Sequence, residues 1–186
     1  PAIRARDKEG MQMLGEHLRE RGHSRVGVVT LPWHTGAEAG PVDCASSRRP
    51  AAPISARRLD GLRAAGIEPV SMWQAGASLV EEGIQAGRAL LAGPERPTAL
   101  VGFSDLLAAG LLLAVREAGL SVPGDVAVAG FDGIDLPWLG EDKLTTIVQP
   151  IAEMGRLAAE TAITLAQGGT GRSRSIDVEL RVGTTT

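Results

Sequence analysis

Polar and acidic side chains follow two apolar runs of the chain directly. The run 98–103 (TALVGF) is followed by Ser104 and Asp105, and the run 125–131 (DVAVAGF) is followed by Asp132. Short apolar runs of this kind are typical of strands buried on both faces. In parallel sheets, ligands bind beyond the carboxyl ends of the strands. Ser104 and Asp132 are therefore candidate ligand residues, whereas we interpret Asp105 as an ordinary helix-start residue.

The segment between these two runs has the pattern of an amphipathic helix. Its apolar residues recur three to four positions apart, Ser104 can cap its start, and Gly119 follows its end. A strand, a helix and a second strand in this order predict parallel pairing and a right-handed crossover. The stretch therefore predicts an α/β fold.

Similar patterns continue in both directions along the chain. They predict helices at 7–21, 55–65, 78–91 and 151–167, and strands at 26–31, 67–72, 145–149 and 176–182, the last of them an edge strand. Ser78 and Glu81 have the spacing of a capping box. Residues 33–53 and 133–144 show no periodicity and are predicted as loops. The helix 151–167 is expected to expose an apolar face unless it docks on the rest of this chain or on a neighbour.

The composition restricts the classes of protein to which the chain can belong. Its 186 residues are 44 % apolar and 22 % charged, which suits one globular domain with a core. A net charge of −3 gives no evident nucleic-acid footprint, and we interpret the pairs Arg48-Arg49 and Arg57-Arg58 as solvated surface. No apolar run is long enough to span a membrane, and no apolar leader is present.

Motifs for metal binding and common enzyme chemistry are also missing from the sequence. The single Cys44 excludes an internal disulfide and a zinc cluster, and it fits a reducing cytoplasm. His17 and His23 are six residues apart, which is not the spacing of a helical metal pair. No nucleophile elbow or phosphate loop occurs. We therefore expect no enzyme activity, no metal and no cofactor.

Two segments in a fixed order carry a family resemblance. The pattern FSDxxAxGxxxAxxxxGxxVPxDVxVxGFD, followed by LTTIVQPxxxMG, resembles the ligand-sensing domain of the LacI/GalR family of bacterial transcription regulators. The resemblance implies a three-layer, doubly wound, mostly parallel α/β sheet of the periplasmic-binding-protein-like type I, mainly its second lobe. It divides the chain into a second lobe (1–147), a crossover segment with a helix that packs on the first lobe (148–172), and a returning strand (173–186).

The resemblance assigns ligand contacts to three residues. Arg58, in the segment Arg58-Leu-Asp-Gly61, stands at a ligand-contacting arginine, whose planar fork can grip two hydroxyls. Asp132 stands at a ligand-contacting aspartate, whose carboxylate offers only acceptors and suits vicinal hydroxyls. Ser104 stands where many relatives have Asn. The alternatives are a solvent-facing helix arginine for Arg58 and a loop-starting residue for Asp132.

Aromatic residues that commonly stack on a sugar are replaced in this chain. Ser78 occupies the position of the stacking aromatic, and Trp73, five residues upstream, is a candidate substitute. Ile151 stands where an aromatic often flanks the ligand. Ser78, Trp73 and Ile151 are therefore further candidate ligand residues, and their types weaken the case for a plain hexose ligand.

The resemblance also predicts a homodimer. Its contact would use Leu107 and Leu111 from the helix after Ser104, together with Trp138 and Leu139 from the loop 133–144. An exposed apolar cluster on a loop is typical of a partner surface. The alternative for Trp138 is that it covers the core of its own domain.

The function implied is effector sensing and dimerisation in a cytoplasmic DNA-binding regulator, a repressor that responds to a small metabolite such as a sugar. A helix-turn-helix and a first lobe are expected to precede Pro1, so this chain alone should neither bind operator DNA nor hold the effector tightly. An alternative is the solute-binding protein of a sugar transporter, with which the segment LTTIVQPxxxMG disagrees. A further alternative, an enzyme on a doubly wound sheet, lacks the motifs named above.

Overall fold

The computed structural model describes residues 1–32, 38–42 and 53–186. Seven strands form one sheet in the order β3-β4-β2-β5-β6-β7-β9, and β1 and β8 form a separate two-stranded sheet. The elements are β1 (Ile3–Ala5), α1 (Asp7–Glu20), β2 (Val26–Thr30), β3 (Gly40–Pro41), α2 (Pro53–Ala64), β4 (Ser71–Gln74), α3 (Val80–Leu91), β5 (Ala99–Gly102), α4 (Asp105–Glu117), β6 (Ala127–Asp132), β7 (Thr145–Val148), α5 (Ile151–Ala166), β8 (Arg174–Ile176) and β9 (Glu179–Arg181).

The large sheet is parallel except at its two edges. Strands β4, β2, β5, β6 and β7 are all parallel to their neighbours, whereas β3 and β9 pair antiparallel with β4 and β7. The connections from β2 to β4, β4 to β5 and β5 to β6 pass through α2, α3 and α4, as the short apolar runs and intervening amphipathic patterns predict, whereas the connection from β6 to β7 contains only the 3-10 helix Pro137–Leu139. The predicted α/β class and mostly parallel sheet are confirmed.

Helices cover both faces of the large sheet and complete three layers. On one face, α1 and α2 bury Met11, Leu14, Leu59 and Leu62 against inward residues of the strands such as Val28 and Val101. On the other face, α3 and α4 bury Leu90, Leu107 and Leu111 against Leu100 and Val128. Successive strand residues point to opposite faces, which explains why two apolar clusters share the same strands.

The small sheet and α5 flank this body, and Ala5 of β1 and Met154 of α5 pack against its apolar core. Strand β1 pairs with β8 in parallel, and α5 contacts β1 while burying only Leu157 of its own residues. Ile151, Ile163 and Leu165 are exposed, so the predicted apolar face of this helix is confirmed. The predicted range 1–147 therefore contains a strand, β1, that does not belong to the large sheet.

Several predicted boundaries are wrong. The strand predicted at 67–72 begins only at Ser71, after Pro69, which cannot donate a ladder hydrogen bond. The strand predicted at 176–182 divides into β8 and β9, which belong to different sheets. Residues 40 and 41 form the edge strand β3 within the predicted loop, and most of that loop, with Cys44 and Arg48-Arg49, lies outside the described residues.

The packing of α3 on α4 depends on glycines. A Cβ added at Gly110 would collide with the carbonyl oxygen of Val80 and lie 2.7 Å from the Cα of Gly83. Both contacts are with backbone, which cannot turn aside as a flexible side chain can. The close approach of the two helices therefore requires glycine at this position.

We predict that Gly110→Ala destabilises the protein by about 3 kcal/mol, because overpacking against backbone forces the helices apart. Gly155→Ala is the matched control, since Gly155 is also inside a helix but has no atom within 4 Å of an added Cβ. That variant should be neutral or more stable by up to about 1 kcal/mol, the difference in helix propensity. Urea unfolding measures both. Equal effects of the two variants would contradict the packing argument.

Candidate functional site

The carboxyl ends of the central strands bring a polar cluster together. Ser104 follows β5, Asp132 ends β6, and Gln149 follows β7, while Arg58 reaches the same place from α2. The structure therefore assembles four of the candidate ligand residues predicted from the sequence, namely Arg58, Ser78, Ser104 and Asp132. The Ser78 hydroxyl donates to that of Ser104 at 2.7 Å.

Arg58 is buried beneath this cluster with only 2 % of its surface exposed. Its Nε donates to Asp7 Oδ1 at 3.0 Å, and its Nη1 donates to the carbonyl oxygen of Phe103. The guanidinium carbon lies 3.6 Å from the ring centroid of Phe131, a cation–π contact. The interpretation of Arg58 as a solvated arginine is therefore wrong. Its Nη2, 3.7 Å from Asp132 Oδ1, is the nitrogen that faces the site.

Burial acts against the charge on Arg58. It lowers the pKa of the guanidinium from its ordinary value, and the neighbouring carboxylates of Asp7 and Asp132 oppose that shift. An arginine remains charged in proteins because its reference pKa is so high. A permanent positive charge therefore lies under the carboxyl end of the sheet, and it favours anionic or acceptor groups above it.

Asp132 presents a partly exposed carboxylate at the carboxyl end of the sheet. It is the last residue of β6, its φ is 131°, and its side chain is 29 % exposed. Gln149 Nε2 donates to its Oδ1 at 2.7 Å. Burial raises the pKa of Asp132 to about 6, and nearby Asp105 adds to the rise, whereas Arg58 and Gln149 hold the pKa down. The carboxylate is thus ionised at neutral pH, yet Arg58 and Gln149 only partly offset the cost of burying its charge.

Asp105 has a larger role than that of the helix-start residue we predicted. It is fully buried, its Oδ2 accepts from the backbone N–H of Ile134 at 2.8 Å, and its Oδ1 accepts from Thr146 Oγ at 2.5 Å. Burial raises its pKa, which those hydrogen bonds oppose. A side chain at Gly130 would collide with this carboxylate. Asp105, at the start of α4, thus links the turn after Asp132, through Ile134, to β7, through Thr146.

Ser104 caps α4 as predicted, but Ser78 does not cap α3. The Ser104 hydroxyl oxygen accepts from the N–H of Leu107 at 3.2 Å and from the hydroxyl of Ser78. Helix α3 begins after Leu79 and has no side-chain cap. The capping-box prediction for Ser78 and Glu81 is therefore wrong, because the Ser78 side chain turns towards the strand ends.

Trp73 and Ile151 lie apart from the cluster. Trp73 is within β4 and lines a separate cavity of about 570 Å³ beside Pro41, Val42 and Leu90. Ile151 begins α5 and is 60 % exposed, two residues after Gln149. Trp73 is separated from Asp132 by β2 and β5 in the sheet order, and the contact of Ile151 with the cluster is a backbone hydrogen bond from its N–H to the Gln149 carbonyl at 2.9 Å.

The residues predicted at a dimer contact divide into two groups. Leu107 and Leu111 are fully buried against α3 within this chain, so the prediction that they touch a partner is wrong. Leu139 is also buried, at the edge of the same apolar cluster. Trp138 is 59 % exposed in the 3-10 helix Pro137–Leu139, so the alternative that it covers its own core is wrong as well.

Comparison with known proteins agrees with this architecture. The model of the periplasmic binding protein-like domain family matches residues 16–186. The chain belongs to that family. It is 37 % identical over 172 residues to the transcriptional repressor CytR of Escherichia coli K12, which covers 88 % of this chain and 45 % of CytR. It is 34 % identical over 159 residues to the ribose operon repressor of the same strain, covering 83 % and 43 %.

Solved structures of LacI-family regulators share the fold. One from Corynebacterium glutamicum superimposes with a TM-score of 0.88 at 22 % identity, over all of this chain and 56 % of that one. Another, from Enterococcus faecium with bound ribose, gives 0.80 at 26 % identity, over all of this chain and 65 % of that one. The predicted LacI/GalR resemblance is confirmed. The chain spans about half the length of its curated relatives.

Three features of the site escaped prediction from the sequence. Asp7 and Gln149 both hold site residues, and Asp105 fixes the adjoining turn. Asp105 lies in the FSD segment and Gln149 in the TTIVQP segment, both of which carry the family resemblance, whereas nothing in the sequence singled out Asp7 beyond its place at a helix start.

Among the described residues, no group of three or more His, Cys, Asp or Glu side chains could hold a metal ion, and none of the helices combines the length and the apolar character that a membrane span needs.

We predict that Asp132→Asn stabilises the protein at pH 7.5 by on the order of 2 kcal/mol. A carboxyl whose pKa is about 6 in the folded state, above its unfolded value, contributes stability below pH 4 that is lost as the pH rises through 6. The amide variant avoids that loss, so its advantage should shrink as the pH falls from 7.5 to 4.5. Urea unfolding at both pH values measures it.

Asp135→Asn is the matched control for charge removal, because Asp135 lies in the following turn and its side chain is 97 % exposed. It should leave the pH dependence of stability as in the unmodified protein. A loss of stability in Asp132→Asn at pH 7.5 would show that pairing with Arg58 outweighs the burial of the carboxylate.

Proposed function

We propose that this chain is the effector-sensing part of a cytoplasmic transcriptional repressor, and that the effector is a small polyhydroxylated metabolite such as a sugar. The observation that carries the proposal is the partly exposed Asp132 carboxylate at the carboxyl end of the parallel sheet, held between Arg58 and Gln149. Membership of the periplasmic-binding-protein-like family and similarity to repressors support it.

The chemistry of the cluster favours a ligand that donates hydrogen bonds. The ionised carboxylate of Asp132 offers acceptors only, and a hydrogen bond to a charged group contributes about 1.5 to 3 kcal/mol. Ser104, whose oxygen already accepts two hydrogen bonds, retains its own hydroxyl proton as a donor. Neighbouring hydroxyls on a sugar supply both a donor and an acceptor. The ribose in the Enterococcus faecium structure is a ligand of this type.

Small hydroxylated side chains stand where a stacking aromatic would be expected. Ser78 is engaged with Ser104, and Trp73 lies in β4, which is separated from β6 and Asp132 by β2 and β5. The site therefore recognises its ligand more through polar contacts than through a ring face. This favours a compact, highly hydroxylated ligand such as a pentose.

The remaining assignments concern the longer protein. We propose that the large sheet is the second lobe, that β1, α5 and β8 pack with a first lobe, and that operator DNA is bound outside this chain. The exposed Trp138 is proposed as part of a homodimer contact. The similarity to repressors makes the alternative, a solute-binding protein of a transporter, the weaker reading.

The test is calorimetric titration of the longer protein, including the proposed first lobe, with D-ribose, other pentoses, hexoses and nucleobases at pH 7.5 and pH 5.0. Affinity for the ligand should fall about tenfold at pH 5.0, because Asp132 with a pKa of about 6 is then mostly protonated and loses its acceptor character. Asp132→Asn should lose binding at both pH values.

Asp135→Asn again serves as the matched control and should bind like the unmodified protein. Undiminished binding by Asp132→Asn, or an affinity independent of pH across this range, would remove Asp132 from the ligand site. Specific binding of operator-like DNA by this chain alone would contradict the proposal that operator DNA is bound outside it.

A further inference from the structure

Asp7 stands where the chain passes from the small sheet to the large body. Strand β1 ends at Ala5, the N–H of Arg6 donates to the carbonyl of Ile176 at 3.0 Å, and α1 begins at Asp7. The chain passes between these two parts at two further places, between β7 and α5 and between β8 and β9. Asp7 therefore belongs to the first of three crossovers between the two sheets.

The Asp7 carboxylate is buried and serves two arginines. Its Oδ1 accepts from Arg58 Nε at 3.0 Å, and its Oδ2 accepts from Arg57 Nε at 3.1 Å and Nη2 at 2.9 Å. An acid in the first turn of a helix is ordinarily explained by the helix dipole. That explanation does not require a side chain that is 3 % exposed and hydrogen bonded at both oxygens.

Arg58 carries the connection from Asp7 to Asp132. Its guanidinium is held at Nε by Asp7, at Nη1 by the Phe103 carbonyl and over its face by the Phe131 ring, and its Nη2 faces Asp132. The position of the charge relative to Asp132 is thus set partly by Asp7. Because Asp7 and Asp132 share one guanidinium, a stronger hold by one weakens the hold by the other.

A second link joins Asp132 to the crossover between β7 and α5. Gln149 lies between β7 and α5, its Nε2 donates to Asp132 Oδ1, and its N–H donates to the Asp132 carbonyl at 3.1 Å. The Asp132 carboxylate is therefore connected to two of the three crossovers, through Gln149 directly and through Arg58 to Asp7.

We propose that Asp7 is a positioning residue of the effector site, which holds Arg58 against Phe131 and Asp132 and so links the first crossover between the sheets to the carboxylate that meets the effector. The description of Asp132 as effector-binding rests on the proposed function. The link from Asp7 through Arg58 to Asp132 does not, and it can be measured without any ligand.

The groups that face Asp132 determine what such a measurement reports. They come from each element packed around it: Arg58 from α2, Asp105 from α4, Gln149 after β7 and, acting on Asp105, Arg181 from β9. Arg58 is the cation that favours the ionised form of Asp132, and Asp105 disfavours it. A change that frees Arg58 from Asp7 should therefore lower the pKa of Asp132.

The experiment is an NMR titration of the ¹³C carboxyl signal of Asp132 in the 186-residue protein and its Asp7→Asn variant. The variant keeps the shape of the side chain and one acceptor for Arg58 but removes the competing charge. The titration midpoint of Asp132 should fall by about one pH unit, the lower end of the effect of an opposite charge at this distance. An unchanged midpoint in a folded Asp7→Asn protein would overturn the proposal.

Asp177→Asn is the matched control, because Asp177 also lies at a crossover and pairs with an arginine, Arg6, at 2.9 Å, but has no contact with Arg58. It should leave the Asp132 midpoint unchanged. Arg57→Gln provides a change in the opposite direction on a half-exposed side chain: Asp7 then pairs with Arg58 alone, and the Asp132 midpoint should rise. A fall in that variant would overturn the proposal.

A double-mutant cycle separates the link through Arg58 from direct repulsion between Asp7 and Asp132. In an Arg58→Lys background, the effect of Asp7→Asn should shrink to less than half, since lysine lacks the fork that joins both acids. An undiminished effect would show direct repulsion and overturn the positioning role. Failure of all sugars to bind the longer protein would overturn the proposed function, while these titrations on the 186-residue protein would still decide the role of Asp7.

Discussion

A charged guanidinium buried in the body of the protein is the constraint on which the site depends. Removing a charge from water is costly unless it is paired and hydrogen bonded. For Arg58, the compensation comes from Asp7 at the start of α1, the Phe103 carbonyl after β5, and Phe131 and Asp132 in β6. These groups are far apart in sequence, so the compensation exists only when α1, α2, β5 and β6 are correctly packed. The burial of Arg58 therefore couples the formation of the site to that of the fold.

This arrangement leaves Asp132 only partly compensated. Burial raises the pKa of Asp132 to about 6, Asp105 adds to the rise, and Arg58, the described cation that opposes it, is shared with Asp7. The resulting cost to stability is typical of binding sites, where groups are held ready for a ligand and not for the fold. Donors on a bound ligand would complete the hydrogen bonding of the carboxylate. Part of the affinity would then come from relieving an unfavourable interaction that exists in the free protein.

The sequence predicted the existence of the main helices and strands better than it predicted their boundaries and pairing. Local sequence patterns predicted the five α-helices of the described residues and the central strands, because burial on two faces imposes apolar runs on the strands and a stripe on each helix. The 3-10 helix Pro137–Leu139 lies in a segment predicted as a loop. Boundaries failed where local signals competed with tertiary contacts. Ser78 had the spacing of a helix cap, yet its hydroxyl is used by Ser104. The alternation in 176–182 is real, but the two halves pair with different sheets, which no local pattern specifies.

The residues of the candidate site could be predicted from the sequence, whereas the contacts among them could not. Strand ends and a family resemblance identified Asp132, Ser104 and Arg58. They did not reveal that Arg58 faces inwards, because a charged residue on a helix is usually solvated and its partners lie at Asp7, Phe103 and Phe131. The same limitation affected Leu107 and Leu111, whose burial under α3 depends on glycines that admit a close helix approach.

A ligand can change the relation between two parts of a protein only if it interacts differently with their alternative arrangements. A contact confined to the large sheet would bind without altering the crossovers. Asp132 avoids that limitation because Gln149 connects it to the passage into α5, and Arg58 with Asp7 connects it to the passage from β1. A ligand that reorganises the hydrogen bonds of this one carboxylate therefore alters interactions at two crossovers together. Those crossovers join the large body to β1 and α5, so the link needs no long chain of intermediate residues.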